Sequence, residues 1–252
     1  MVAIDLNSDL GESYGRYHLG KDQQVIPLIS ACNIACGFHA GDPDVMAHTV
    51  SLAEQAGIGV GAHPAFPDLD GFGRRYMQMD LASVTDMIVY QVAALEGFTH
   101  DHRLHHVKPH GALYNAAGKD LDLAKAICRG IKMVDPNIIV YGLANSQLIK
   151  AAEFYHLPAA EEVFADRNYQ ADGSLVPRTQ PNAVLTDPEE IANRTVQMIQ
   201  NQSVTAITGE TVPLKIDSIC VHGDNDQALA IVKALVKRLH QEKIDIETLK
   251  KK

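Results

Sequence analysis

The feature that most constrains the fold is a sevenfold alternation of short apolar runs with helix-patterned segments. The runs lie near residues 2–7, 29–34, 58–62, 104–107, 138–142, 162–165 and 218–221. Between them, segments such as 81–98 place Met87, Ile88, Gln91, Val92 and Leu95 at helical spacing. Asp42-Pro43 and Asp187-Pro188-Glu189-Glu190 supply helix caps with first-turn prolines. Strand followed by helix, repeated with right-handed crossovers, builds a parallel sheet. An open doubly wound sheet would carry G-x-G-x-x-G after its first strand, and that fingerprint is missing. A closed α/β barrel is therefore expected, as one domain over residues 1–252, since no linker-like stretch divides the chain. A hairpin turning at Gly209 is expected within 204–216.

The second constraint is where the polar residues fall. Six of the seven runs end in a polar motif: DLGE, CGFHAGD, HP, KPHGALY, ADRNY and HGDN. Barrel enzymes keep their chemistry at the carboxyl ends of the strands. In the first run Val2, Ile4 and Leu6 alternate with Ala3, Asp5 and Asn7, and the second series continues to Asp9. One face of that strand is rich in carboxylates, and a carboxylate out of water needs a metal, a cation or several donors. Asn7, Asp9 and Glu12 thus become site candidates.

Other rim residues follow from their chemistry. His39, His63 and His222 are candidate metal ligands, with Asp9 and His110 able to join them, although each histidine alone can simply hydrogen-bond across the mouth. Lys108, on the same strand face as His110 by period two, is placed to act as a fixed cation for developing negative charge. Arg74, Arg75, Arg167 and Arg178 stand on two long loops and can grip carboxylate or phosphate. Asp224 is a candidate either for binding or for capping the last helix.

Several alternatives fall away. Lys and Arg number 22 against 31 Asp and Glu, a net charge of −9, and no basic stripe is interleaved with aromatics, which excludes nucleic acid and anionic membrane as main partners. Cys32, Cys36, Cys128 and Cys220 form no CxxC pair and are expected as reduced thiols. Strand-forming residues begin at Val2 without a basic leader, and no apolar run approaches ~20 residues, so a cytoplasmic protein is expected. Gly15, Gly20 and Lys21 match G-x-x-x-x-G-K, but Asp22 stands where a phosphate loop needs a hydroxyl for magnesium. His100, His102, His105 and His106 precede a strand, at the end of a barrel that serves stability rather than chemistry.

Taken together and in order, residues 5–20, 33–42, 61–77, 107–114, 164–178 and 220–224 resemble the LamB/YcsF family across nearly the whole chain. The resemblance implies a distorted seven-stranded (β/α) barrel of the glycoside hydrolase/deacetylase type. It also implies a role as one component of an ATP-dependent 5-oxoprolinase, its A subunit, acting with subunits B and C to open 5-oxo-L-proline to L-glutamate. In that scheme Asp9 or a neighbouring rim acid is the general base, Lys108 and the arginines hold anions, and His110 is an acid or orienting group. ATP, with Mg as its counter-ion, would be handled with the partner subunits. A site metal and a homo-oligomer are both compatible with the sequence. A metal-dependent deacetylase or amidohydrolase needing no ATP, and a non-catalytic lactam carrier, are the alternatives.

Overall fold

Seven parallel strands close into a barrel in the structure, a computed structural model that describes residues 2–221 and 227–250. They are β1 (Val2–Leu10), β2 (Ala31–Ala35), β3 (Gly59–His63), β4 (His106–Val107), β5 (Ile139–Leu143), β6 (Ala159–Phe164) and β9 (Ser218–Cys220). β9 pairs with both β6 and β1 and so closes the ring. Between β6 and β9 lies the expected antiparallel hairpin, β7 (Ser203–Thr205) with β8 (Thr211–Pro213). A further strand, β10 (Ile244–Ile246), runs beside the start of β1 and had no signal in the sequence.

Eight helices accompany the strands among the described residues: α1 (Asp22–Val25), α2 (Pro43–Ala56), α3 (Leu81–Glu96), α4 (Gly111–Ala117), α5 (Leu121–Val134), α6 (Gln147–Phe154), α7 (Pro188–Asn201) and α8 (Ala228–Gln241). Asp42, Asp80 and Asp187 cap α2, α3 and α7 by accepting the N–H three residues on. The run at 29–34 pairs only from Ala31, because Ile26-Pro27-Leu28 forms a 3-10 turn ahead of it. The KPHGALY motif leads from β4 into α4, with His110 at the N-cap position and Gly111 to Tyr114 in the helix. Asp22 Oδ2 accepts the Gly11 N–H at 2.9 Å, which gives this residue a structural task in place of a phosphate-loop hydroxyl's. No helix among the described residues is long and apolar enough to cross a membrane.

Alternation along the strands sorts the residues. Ile4, Leu6 and Leu10 of β1 and Ile34 of β2 belong to the main apolar core with the inner faces of the helices, where Val84 and Ile88 of α3 join Ile127 and Ile131 of α5. The complementary series on the same strands is polar: Asp5, Asn7 and Asp9 on β1, Asn33 on β2, His106 on β4, Glu162 on β6 and Ser218 on β9, all buried. Barrels of this kind usually fill their interior with branched apolar residues. Here a hydrogen-bonded column takes that place. Gly61 makes room for it, since a Cβ there would lie 2.2 Å from the His106 ring.

Candidate active site

The column begins at Asp5. Its carboxylate accepts from Ser30 Oγ at 2.7 Å, from Tyr141 OH at 3.0 Å and from Ser218 Oγ. Burial pushes the Asp5 pKa up from 3.8 to about 6, against those donors. One layer up, Asn7 donates to Glu162 Oε2 at 3.0 Å and Ser218 Oγ at 2.7 Å, while its carbonyl oxygen accepts from Asn33 Nδ2 at 2.7 Å. Asn7 is fully buried and does not reach the cavity described below. The expectation that it binds substrate directly gives way to a supporting role beneath the site.

Lys108 leaves the end of β4 and turns into the barrel. Its Nζ lies 3.1 Å from Asp9 Oδ1, 3.0 Å from Glu162 Oε2 and 2.9 Å from Cys220 Sγ. Burial alone would lower the lysine pKa, but Asp9 and Glu162 outweigh it and hold the ammonium well above 10.5. Burial also drives the Cys220 thiol well above 9.0, so the sulfur stays neutral and the balancing charge comes from the carboxylates. Glu162 accepts a further hydrogen bond from Tyr114 OH at 2.7 Å. The ammonium is thus engaged by internal partners, which corrects the picture of Lys108 as an open clamp for substrate anions.

Beside this network four side chains from different strand ends converge. Glu12 follows β1, His39 follows β2, His63 ends β3, and His110 occupies the N-cap position of α4. All are buried, and one donor atom from each lies within 4.8 Å of the others. His63 Nε2 is 2.9 Å from His110 Nδ1 and 3.4 Å from Asp9 Oδ2. His39 stacks on His110 with ring centroids 3.9 Å apart. Burial, reinforced by the neighbouring imidazoles, lowers the pKa of His39 and of His110 well below 6.5. The loop carrying GFGRR seats directly on these rings, and Gly73 permits it: a Cβ there would come within 2.8 Å of His110 and 2.9 Å of His39, at a φ of +64°.

A cavity of about 750 Å3 opens over the site. Asp9, His63, Lys108 and His110 are at its wall, Arg74, Arg167 and Arg178 also line it, and Tyr114 and Phe164 contribute aromatic surface. Arg74 lies over the Phe72 ring, 5.0 Å from its centroid. Arg167 is buried and donates to Val176 O at 2.7 Å and Ala183 O at 3.3 Å, so it also fastens the insertion that follows β6; burial, then Arg178, lowers its pKa to about 10. Arg75 departs from expectation. Its largely exposed side chain is held by Asp68 within its own loop and stays outside the cavity wall.

The sequence reading missed Glu162, Tyr114 and Asn33 as members of the site. Glu162 sits on the inward register of β6 with Phe164, a period-two signal masked by the adjacent Glu161. Two candidates, His222 and Asp224, lie outside the described residues.

Comparison with known proteins places this geometry. A protein of Limosilactobacillus fermentum, named as the A subunit of 5-oxoprolinase, is 68% identical over 93% of this chain and 94% of its own length. One of the same name from Clostridium beijerinckii is 53% identical over 100% of this chain and 99% of its own. Among solved structures, the lactam utilization protein of Thermus thermophilus superposes with a TM-score of 0.93 at 39% identity, covering 98% of this chain and 100% of that one. The catalytic domain of a peptidoglycan N-acetylglucosamine deacetylase from Eubacterium rectale, with a TM-score of 0.51 at 11% identity over 98% of this chain and 88% of its own, shares the barrel fold alone. Residues 4–252 match the LamB/YcsF family, and the chain belongs to it.

Proposed function

We propose that this chain is the lactam-holding subunit of an ATP-dependent 5-oxoprolinase, which opens 5-oxo-L-proline to L-glutamate. The observation that carries the reading is the name shared by relatives matching over nearly their full length, both called the A subunit of 5-oxoprolinase, at 68% and 53% identity. The chemistry of the cavity supports a division of labour. A five-membered lactam is a resonance-stabilised amide with a poor leaving group. Transfer of the ATP γ-phosphoryl group to the lactam oxygen, with departure of ADP, gives a better electrophile. Water then adds to the activated carbon, the ring nitrogen leaves with a proton, and a second water releases phosphate from the resulting acyl phosphate.

Asp9 is the proposed general base for water, held in place by Lys108 and Asn33 at 3.1 and 2.8 Å. Arg74 and Arg178, at the cavity wall, are proposed to bind the substrate carboxylate or the transferred phosphoryl group. His110, also at the cavity wall, is proposed to orient the substrate. The near-miss phosphate loop, with Asp22 committed to Gly11, supports assigning ATP and its Mg counter-ion to a site completed by partner subunits B and C. The test is glutamate formation from 5-oxo-L-proline and ATP with all three subunits and with each omitted. The reading requires all three; lactam-dependent ATP hydrolysis by this chain alone would overturn the division of labour. The buried Glu12, His39, His63 and His110 cluster favours one rival, metal-dependent amide hydrolysis without nucleotide, and glutamate formed without ATP would establish it.

A further inference from the structure

The hydrogen bonds of the histidine cluster leave two ring nitrogens facing each other with no proton between them. His63 Nδ1 lies 2.7 Å from the carbonyl oxygen of Lys108, and His110 Nε2 lies 2.9 Å from that of Phe72. A carbonyl oxygen can only accept, so each of these outer nitrogens carries the proton. In a neutral imidazole the other nitrogen then bears a lone pair. Those two lone pairs, on His63 Nε2 and His110 Nδ1, face each other at 2.9 Å, a distance at which one side should donate. His39 adds to the anomaly. It is 1% exposed, yet neither of its ring nitrogens has a hydrogen-bond partner among the described residues, and its Nε2 lies 3.5 Å from Glu12 Oε1. A buried nitrogen left unmet loses its hydration without replacement.

We infer that Glu12, His39, His63 and His110 form a binding site for one first-row divalent cation of the zinc, cobalt or nickel class. Three observations fix that class. The donor set is three imidazoles and a carboxylate, which suits borderline metals rather than calcium or magnesium. Tetrahedral ligands about 2.0–2.1 Å from a metal stand about 3.3 Å from one another; three of the six pairs here, His63 with His110, His39 with Glu12, and His110 with Glu12, are 2.9, 3.5 and 3.9 Å apart, all four donors lie within 4.8 Å, and the His39 ring, stacked on His110 at 3.9 Å, must turn for both to face one ion. Backbone carbonyls already hold the outer nitrogens of His63 and His110, the arrangement that orients metal-binding histidines elsewhere. Asp9 Oδ2, 3.4 Å from His63 Nε2, brings the proposed base to the edge of the site.

This inference does not depend on the lactam reading, because its test measures metal and not turnover. The full chain is stripped with a chelator, dialysed, and titrated with Co2+ and with Zn2+ by calorimetry, with visible spectra recorded for cobalt. One equivalent per chain and d–d bands of tetrahedral intensity are expected. His39→Gln and His110→Asn should each weaken binding by more than the roughly 100-fold that outer-shell changes reach. His100→Ala with His102→Ala, at exposed histidines, controls for surface binding and should leave the titration unchanged. Should the ligand variants fail to fold, 15N spectra of wild-type histidine side chains decide: Zn2+ must shift nitrogens of three buried rings. No stoichiometric binding, undiminished binding in His39→Gln, or unmoved buried resonances would overturn the site and leave a proton shared by His63 and His110 in its place.

Discussion

Lys108 Nζ lies 3.1 Å from Asp9 Oδ1, so a buried ammonium from the end of one strand fixes a carboxylate from the end of another at the cavity wall. The same ammonium reaches Glu162 at 3.0 Å, and both ends of this bridge are out of bulk water. Removing one partner of such a network leaves uncompensated charge, which typically costs about 3–5 kcal/mol. Lys108→Met is therefore expected to lose stability of that order in urea unfolding at neutral pH. A loss below about 1 kcal/mol, the scale of a surface pair, would show that the network is solvated.

Asp5 gives a pH signature. Its pKa is about 6 in the folded protein against an ordinary value of 3.8, so the native state holds the proton more tightly than the unfolded one. Its contribution to stability is fully present below pH 3.8 and is lost as the pH rises through about 6, a difference of about 3 kcal/mol. Asp5→Asn removes this contribution. Unfolding free energies of wild type minus variant, measured from pH 4 to 7, should fall as pH rises; a difference independent of pH contradicts the burial effect.

Gly61→Ala places a methyl 2.2 Å from the His106 ring, inside a column whose other members are all hydrogen-bonded into place. His106 cannot swing away freely, because its Nε2 bonds Asn33 Oδ1 at 2.7 Å and its ring stacks on Tyr141. Overpacking of this kind costs roughly 1–3 kcal/mol or more. Thermal melting should show the loss, and an unchanged midpoint would mean the interior is looser than drawn.

The two arginine positions should separate functionally. Arg178→Ala is expected to raise the KM for 5-oxo-L-proline or ATP in the assembled enzyme by about 10-fold or more, the scale of a charge-assisted hydrogen bond of roughly 1.5–3 kcal/mol. Arg75→Ala should leave KM within about 2-fold, since its exposed head group only braces Asp68. Equal effects in steady-state kinetics would count against the assignment of the cavity wall.

Much of this was legible in the sequence for a physical reason: strand alternation forces Asp5, Asn7 and Asp9 to one side, and parallel strands bring their carboxyl ends to one mouth. All seven expected strands form, and the barrel closes. What stayed hidden depends on contacts across the ring. Nothing near Lys108 reveals that Glu162 and Cys220 fill its remaining donor directions, because those residues lie 54 and 112 positions away. Arg74 and Arg75 are indistinguishable by type, and only the fold shows that Asp68 holds the second. β4 pairs over just two residues, yet Lys108 and His110 keep its register beyond them, because their N–H groups donate to Ala62 O at 3.0 Å and Pro64 O at 2.8 Å before the chain turns into α4.

The most direct measurement is ATP-dependent glutamate formation from 5-oxo-L-proline by the assembled subunits with Asp9→Asn in place of the wild-type chain, alongside lactam binding to each. If Asp9 is the base for water, binding persists while turnover falls by about 10²–10⁴. Turnover within a few-fold of wild type, with the variant folded and assembled, would contradict a hydrolytic centre at this mouth of the barrel.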